Sequence, residues 1–117
     1  MTFKIISRED FYQHSLTTSN HSFLQSIEMA DLLQKRGATI HYIGWEEQGT
    51  LAISAILYSL PMTGGLHYEI NSGPIVTDTR YLPDFYKAVQ AYVKENGGIE
   101  FILKPYDHYQ VFDSNGN

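Results

Sequence analysis

Two turns carry most of the reactive side chains in this sequence. Lys104-Pro105-Tyr106-Asp107-His108-Tyr109 gathers a cation, two phenols, a carboxylate and an imidazole, and Asn71-Ser72-Gly73-Pro74 puts small residues directly after an apolar run. Each follows a segment that reads as a strand, and the carboxyl ends of strands are common ligand positions in open sheets. Without a ligand the same residues are two well-made turns with exposed aromatics, and side-chain chemistry alone leaves both readings open. Other chemistries are disfavoured. The histidines at 14, 21, 41, 67 and 108 show neither i, i+4 nor i, i+2 pairing, so no helix or strand presents two imidazoles on one face to a metal ion. No serine lies in a Gly-x-Ser-x-Gly elbow, and the absence of cysteine removes a thiol nucleophile, a thiolate metal site and a disulfide framework.

Helices and strands can be assigned around these turns. Phe3 to Ile6 reads as extended, and Ser7 with Asp10 makes an approximate capping box for a first helix whose apolar face is Phe11, Tyr12 and Leu16. Ser26 caps a second helix, in which Ile27, Ala30 and Leu33, flanked by Met29 and Leu32, recur at helical spacing and Gly37 is the C′ residue. Ala38 to Trp45 is rich in β-formers, Glu46-Glu47-Gln48-Gly49 turns the chain, and Leu51 to Leu60 is apolar on both faces, as a strand covered on both sides must be. Pro61 ends that strand, Thr63-Gly64-Gly65 turns again, and Leu66 to Ile70 returns, which predicts an antiparallel three-strand meander. Pro83 fits the start of a third helix with Phe85, Val89, Tyr92 and Val93 on its buried face, and Asn96-Gly97-Gly98 stops it. Ile99 to Leu103 is a last strand, which a crossover helix lets join the sheet parallel to a neighbour. The tail from Asp113 to Asn117 reads as a frayed end or a truncated loop.

At 117 residues, 43 % hydrophobic and 14 % aromatic, residues 1–117 suffice for a single domain, and no repeat, linker or low-complexity tract divides them. The formal charge of −5, from 13 acidic and 8 basic residues, supplies no overall positive field to gather nucleic acid or anionic lipid. Lys35-Arg36 reads on its own as a solvated pair. No run approaches the ~20 apolar residues of a bilayer span, and Met1-Thr2-Phe3-Lys4 does not open a signal peptide. The expected location is the cytoplasm, including the inner membrane face as a peripheral protein.

Helices, meander, helix and strand, in that order, predict an α/β fold with a mixed, mainly antiparallel sheet flanked by helices. This order resembles the first half or more of a GNAT-type acyltransferase. Gln34-Lys35-Arg36-Gly37-Ala38-Thr39 comes near the Gln/Arg-x-x-Gly-x-Gly/Ala loop that holds the acetyl-CoA pyrophosphate in those enzymes. It departs at Thr39, and it closes a helix where an anion site needs a helix start with free N–H groups, so acetyl-CoA is not expected to bind.

Phe23-Leu24-Gln25-Ser26, leading into Glu28-Met29-Ala30-Asp31-Leu32-Leu33 and Lys35-Arg36-Gly37, resembles the opening helix of the Fem peptidoglycan aminoacyltransferases. Leu60-Pro61-Met62-Thr63-Gly64-Gly65-Leu66-His67, Glu69-Ile70-Asn71-Ser72-Gly73-Pro74 and Lys104-Pro105-Tyr106-Asp107 are similar in particular to the MurN-like, alanine-adding branch. The likeness extends over nearly the whole chain. It implies two fused GNAT-like domains, often with a helical arm, that move an aminoacyl group from tRNA to the stem-peptide lysine of a lipid-linked or nucleotide-linked muropeptide. In such a reaction the stem-peptide amine attacks the aminoacyl ester, so the enzyme orients two large substrates and stabilises an oxyanion. No metal or other cofactor is implied. Fem transferases are several times longer than this chain. The resemblance therefore makes residues 1–117 the N-terminal part of the first GNAT-like domain, inactive alone, with the main charge-stabilising residues and aminoacyl-tRNA contacts beyond Asn117.

Two departures bear on the site. Several relatives carry a lysine, used on the precursor's phosphates, where alignment places Leu33, and an acidic residue where Lys104 precedes Pro105. That position offers no carboxylate base here; Asp107 is a loose replacement, and Lys104 is suited to an anionic group of the precursor. The resemblance thus assigns muropeptide binding to Lys35 and Arg36, to Ser72 and Gly73, and to Lys104 and Tyr106, and leaves the catalytic residues unknown. A non-catalytic protein- or peptide-binding module with a GNAT-like fold is the competing class, favoured by a reading frame that stops at Asn117. An acetyl-CoA N-acetyltransferase is the third, and requires measurable acetyl-CoA binding. An apolar face left for the missing half offers the isolated fragment a surface for dimerisation, and the sequence leaves its oligomeric state open.

Overall fold

The computed structural model describes residues 2–17, 25–71 and 73–104. Strand β1 (Thr2–Ile5) is followed by helices α1 (Arg8–Ser15) and α2 (Ile27–Lys35), then by strands β2 (Thr39–Glu47), β3 (Thr50–Met62), β4 (Gly65–Asn71) and β5 (Ile75–Val76). A 3-10 turn at Thr79–Tyr81 leads into helix α3 (Leu82–Glu95), and strand β6 (Gly98–Lys104) closes the described chain. Local chemistry sets the boundaries. Ser7 Oγ accepts the Asp10 N–H at 2.9 Å and Ser26 Oγ that of Met29 at 3.2 Å, so both helices start at their predicted caps. Gln48 (φ 53°) and Gly49 (φ 80°) form the β2–β3 turn, which lets β2 run on to Glu47.

The sheet runs β1-β2-β3-β4-β6, with β5 paired to β3; β4 and β6 are parallel and every other pair is antiparallel. This is the predicted mixed, mainly antiparallel sheet, with α3 as the crossover that makes the last pair parallel. One face packs Ile43, Ile53, Leu57, Tyr68 and Ile70 against Phe85, Val89 and Val93 of α3; the other packs Ile56 and Ile75 against Phe11 of α1 and Ala30 of α2. Strand β3 is buried without interruption from Ala52 to Leu57, as its two apolar faces require.

Three local expectations change. Pro61 does not end β3: it pairs with Leu66, whose N–H points away to Gly97 O at 3.0 Å, and β2 pairs only as far as Ser59. No neighbour therefore asks for the N–H that proline lacks. On α1, Phe11 is buried but Tyr12 and Leu16 are exposed, and His14 and Ser15 take the inner side. His14 Nδ1 lies 2.5 Å from the buried Ser54 Oγ, and the Ser15 hydroxyl donates to Tyr12 O at 2.6 Å, so both polar groups are satisfied inside. The third is an addition: the two-residue strand β5 lies in a stretch to which the sequence assigns no element.

His41 on β2 is half-buried between the rings of Tyr68 and Tyr92, at centroid distances of 5.5 and 5.7 Å, with Nδ1 2.9 Å from Tyr92 Oη. Burial lowers its pKa below the ordinary histidine value. The associated stability is fully present above the unfolded value of ~6.5; as pH falls below it, the unfolded chain takes up the proton first and stability drops. The thermal midpoint is expected to decline below pH ~6.5, and His41→Gln to flatten the decline. Midpoint-versus-pH curves of equal slope for the two proteins would refute this.

Candidate functional site

Helix α1 packs on β2 and β3, and α2 on β2. Beyond them, on the same face, β4 and β6 carry polar side chains. Strand register sets Tyr58 beside Glu69, His67 beside Glu100, and Asn71 beside Lys104. Alternation turns these away from Tyr68 and Ile70, which belong to the α3 core. Glu69 is the centre of the group and is only 7 % exposed. Its Oε1 lies 3.1 Å from His67 Nε2 and its Oε2 3.2 Å from Lys104 Nζ, while the Tyr58 phenol makes a third hydrogen bond to the carboxylate. The other His67 nitrogen, Nδ1, is 3.3 Å from Glu100 Oε1.

These contacts decide the charge states. Burial opposes ionisation of Glu69, but hydrogen bonds to Tyr58, His67 and Lys104, together with the lysine's charge, outweigh it and hold the carboxyl below its usual range. Tyr58 moves the other way: burial first, then the hydrogen bond to Glu69 and its charge, push the phenol up and keep it a neutral donor. A fixed carboxylate therefore orients an ammonium, a phenol and an imidazole at one end of the sheet. His67 meets its two glutamates through different ring nitrogens, and no three such side chains among the described residues converge as metal ligands would.

Beside this cluster is a notch of about 40 Å³ lined by Gln25, Met29, Leu33, Ile56, Tyr58 and Asn71. Leu33, at the helix position where the resemblance anticipates a phosphate-binding lysine, thus faces the notch as an apolar wall. Lys104, the last residue of β6, belongs to the cluster. Gly73 is buried, with the Gln25 side chain occupying the space a Cβ would need. Lys35 and Arg36 are exposed at the far end of α2, which begins beside Gln25 and ends where Thr39 pairs with Ser59. Ser72, Tyr106 and Asp107, with Phe23-Leu24 and the tail from Asp113, lie outside the described residues. Sequence reasoning missed Tyr58, His67 and Glu69. Their signal was present on β4, where ionisable residues two apart interrupt an otherwise apolar strand.

Among the described residues no helix is long and apolar enough to cross a membrane. The sequence profile of the FemAB family matches residues 6–117. Among solved structures, FemX is similar over 88 % of this chain and 27 % of its own, with a TM-score of 0.73 and 17 % identity. The ribosomal-protein-alanine N-acetyltransferase from Brucella melitensis biovar Abortus 2308 is similar over 89 % of this chain and 80 % of its own, with a TM-score of 0.64 and 16 % identity. A Trypanosoma brucei acetyltransferase is similar over 91 % and 83 %, with a TM-score of 0.54 and 15 % identity. At these identities the likeness shows the fold, that of the N-acetyltransferases. The chain spans about a quarter of the length of FemX. No curated protein matches the sequence.

Proposed function

Because this chain belongs to the FemAB family, we propose that it is the N-terminal part of the first GNAT-like domain of a tRNA-dependent aminoacyltransferase. That enzyme adds alanine or serine to the stem-peptide lysine, or the growing cross-bridge, of a peptidoglycan precursor at the cytoplasmic face of the membrane. The family match over residues 6–117 is the observation that carries the reading.

The part played by these residues is to hold the muropeptide. Lys104, oriented by Glu69 at 3.2 Å, offers an ammonium to an anionic group of the precursor, and Ser72, Gly73 and Tyr106 are the further contacts of this reading. A muropeptide is long enough to reach from there to Lys35 and Arg36, whose charges suit its phosphates. Contacts to tRNA and the groups that stabilise the oxyanion belong to the remainder of the enzyme, in keeping with the net charge of −5. In the full-length protein, Lys104→Ala combined with Tyr106→Ala is expected to weaken binding of a soluble UDP-linked muropeptide about tenfold by calorimetric titration, equivalent to ~1.4 kcal/mol. Unchanged affinity would reject this site, and absence of transfer from both alanyl- and seryl-tRNA would reject the activity.

A further inference from the structure

From Met62↔Gly65 to Tyr58↔Glu69, strands β3 and β4 are paired residue by residue. The ladder stops there: the next two positions in step, Leu57 opposite Ile70 and Ile56 opposite Asn71, do not continue it, and β3 takes β5 as its partner at Ser54↔Ile75 instead. The chain therefore leaves the side of β3 after Glu69 and rejoins it at Ile75. Gln25, only 1 % exposed, occupies the gap. Its Oε1 accepts the Ile56 N–H at 2.8 Å, and its Nε2 donates to Asn71 O at 3.0 Å and to Ile56 O at 3.4 Å.

A primary amide offers the acceptor and donor of a peptide group, so this side chain acts as one residue of strand between β3 and β4. Gly73 closes over it. A Cβ at Gly73 would lie 2.7 Å from Gln25 Cδ, 2.8 Å from Cγ and 2.9 Å from Oε1, closer than real Cβ contacts come. Only glycine lets the chain rest on the amide. Asn71, held by Gln25 on one side, pairs on the other with Lys104 of β6.

We infer that Gln25 is a positioning residue: its amide sets the width of the gap between β3 and β4, and through its contacts with Asn71 and Gly73 fixes how the chain leaves β4 beside Lys104. The geometric part stands alone; its consequence for substrate rests on the proposed muropeptide site. Gln25→Leu and Gln25→Met both remove every amide contact while keeping an apolar side chain of similar size in the gap.

Hydrogen exchange of the full-length protein, followed by mass spectrometry, reads the geometry. In Gln25→Leu and Gln25→Met the segment containing Ile56 is expected to exchange about tenfold faster, with β1 unchanged. Gly73→Ala is expected to destabilise the wild type and to be tolerated beside Gln25→Ala, because the colliding atoms are then gone. Unaltered exchange in Gln25→Leu, or an equal penalty for Gly73→Ala in both backgrounds, overturns the inference. Muropeptide titration reads the function in Gln25→Met, whose unchanged β1 exchange shows that it is folded, with an expected loss of about tenfold in affinity. Equal affinity of this variant and a binding-competent wild type overturns the positioning role. If the wild type binds no muropeptide, the functional proposal fails, and exchange and the Gly73 coupling still decide whether Gln25 sets the gap.

Discussion

Phe85→Ala is expected to lower the free energy of unfolding by about 3–5 kcal/mol. Phe85 is completely buried at the start of α3, with ring centroids 6.3 Å from Phe3 on β1 and 5.9 Å from Tyr86. It ties the crossover helix to the edge strand through the same core that holds Ile53 and Leu57 of β3. Truncation removes the transfer free energy of a ring and leaves a cavity whose floor is a hydrogen-bonded sheet, which cannot collapse into it. A loss of this size is a large share of the roughly 5–15 kcal/mol that stabilises an ordinary domain. Urea unfolding should show a lower midpoint at an unchanged m-value. A loss under about 1 kcal/mol would mean that α3 does not cap the core as described.

Gly98→Ala is expected to destabilise by about 2–3 kcal/mol, at the upper end of what overpacking produces. Here α3 ends and β6 begins, and a Cβ would lie within 2.8 Å of the Val93 carbonyl oxygen and 2.9 Å of Tyr68 Cδ1, besides colliding with the Val93 side chain. The side chain can rotate away; the carbonyl belongs to the helix backbone. The last turn of α3 must therefore lift from the sheet, straining the 2.8 Å hydrogen bond from Tyr68 Oη to Asn96 O. Adding Val93→Ala should recover only part of the loss, since the carbonyl remains. Full recovery in the double variant would show that the close approach is between side chains alone.

Much of the fold was legible because it rests on interactions within a few residues. Ser7 and Ser26 cap the next turn of chain, Gly37 takes the left-handed conformation (φ 99°) that ends α2, and Pro83 sits in the first turn of α3. The doubly apolar run of β3 required cover on both faces, and α3 between β4 and β6 required a parallel pair. Periodicity misled where a polar group had a specific partner: His14 is inside because Ser54 is there to meet it.

The candidate site was legible only in part. Lys104 and Gly73 stood out as residues after strands, and Gln25 as part of a family motif. That Lys104 is held by Glu69, and Glu69 by Tyr58 and His67, follows from the register of three strands, one of which, β6, is separated from the other two by the whole of α3. Lys35 and Arg36, adjacent in the same motif set, are exposed at the end of α2 and take no part in the contacts around Glu69. Sequence by itself determined the elements, their order and the family, because caps, turns, periodicity and motifs are local patterns. Tertiary structure alone decided which charged groups meet and what Gln25 does, because a buried carboxylate and a buried amide are defined by the partners that the fold brings to them.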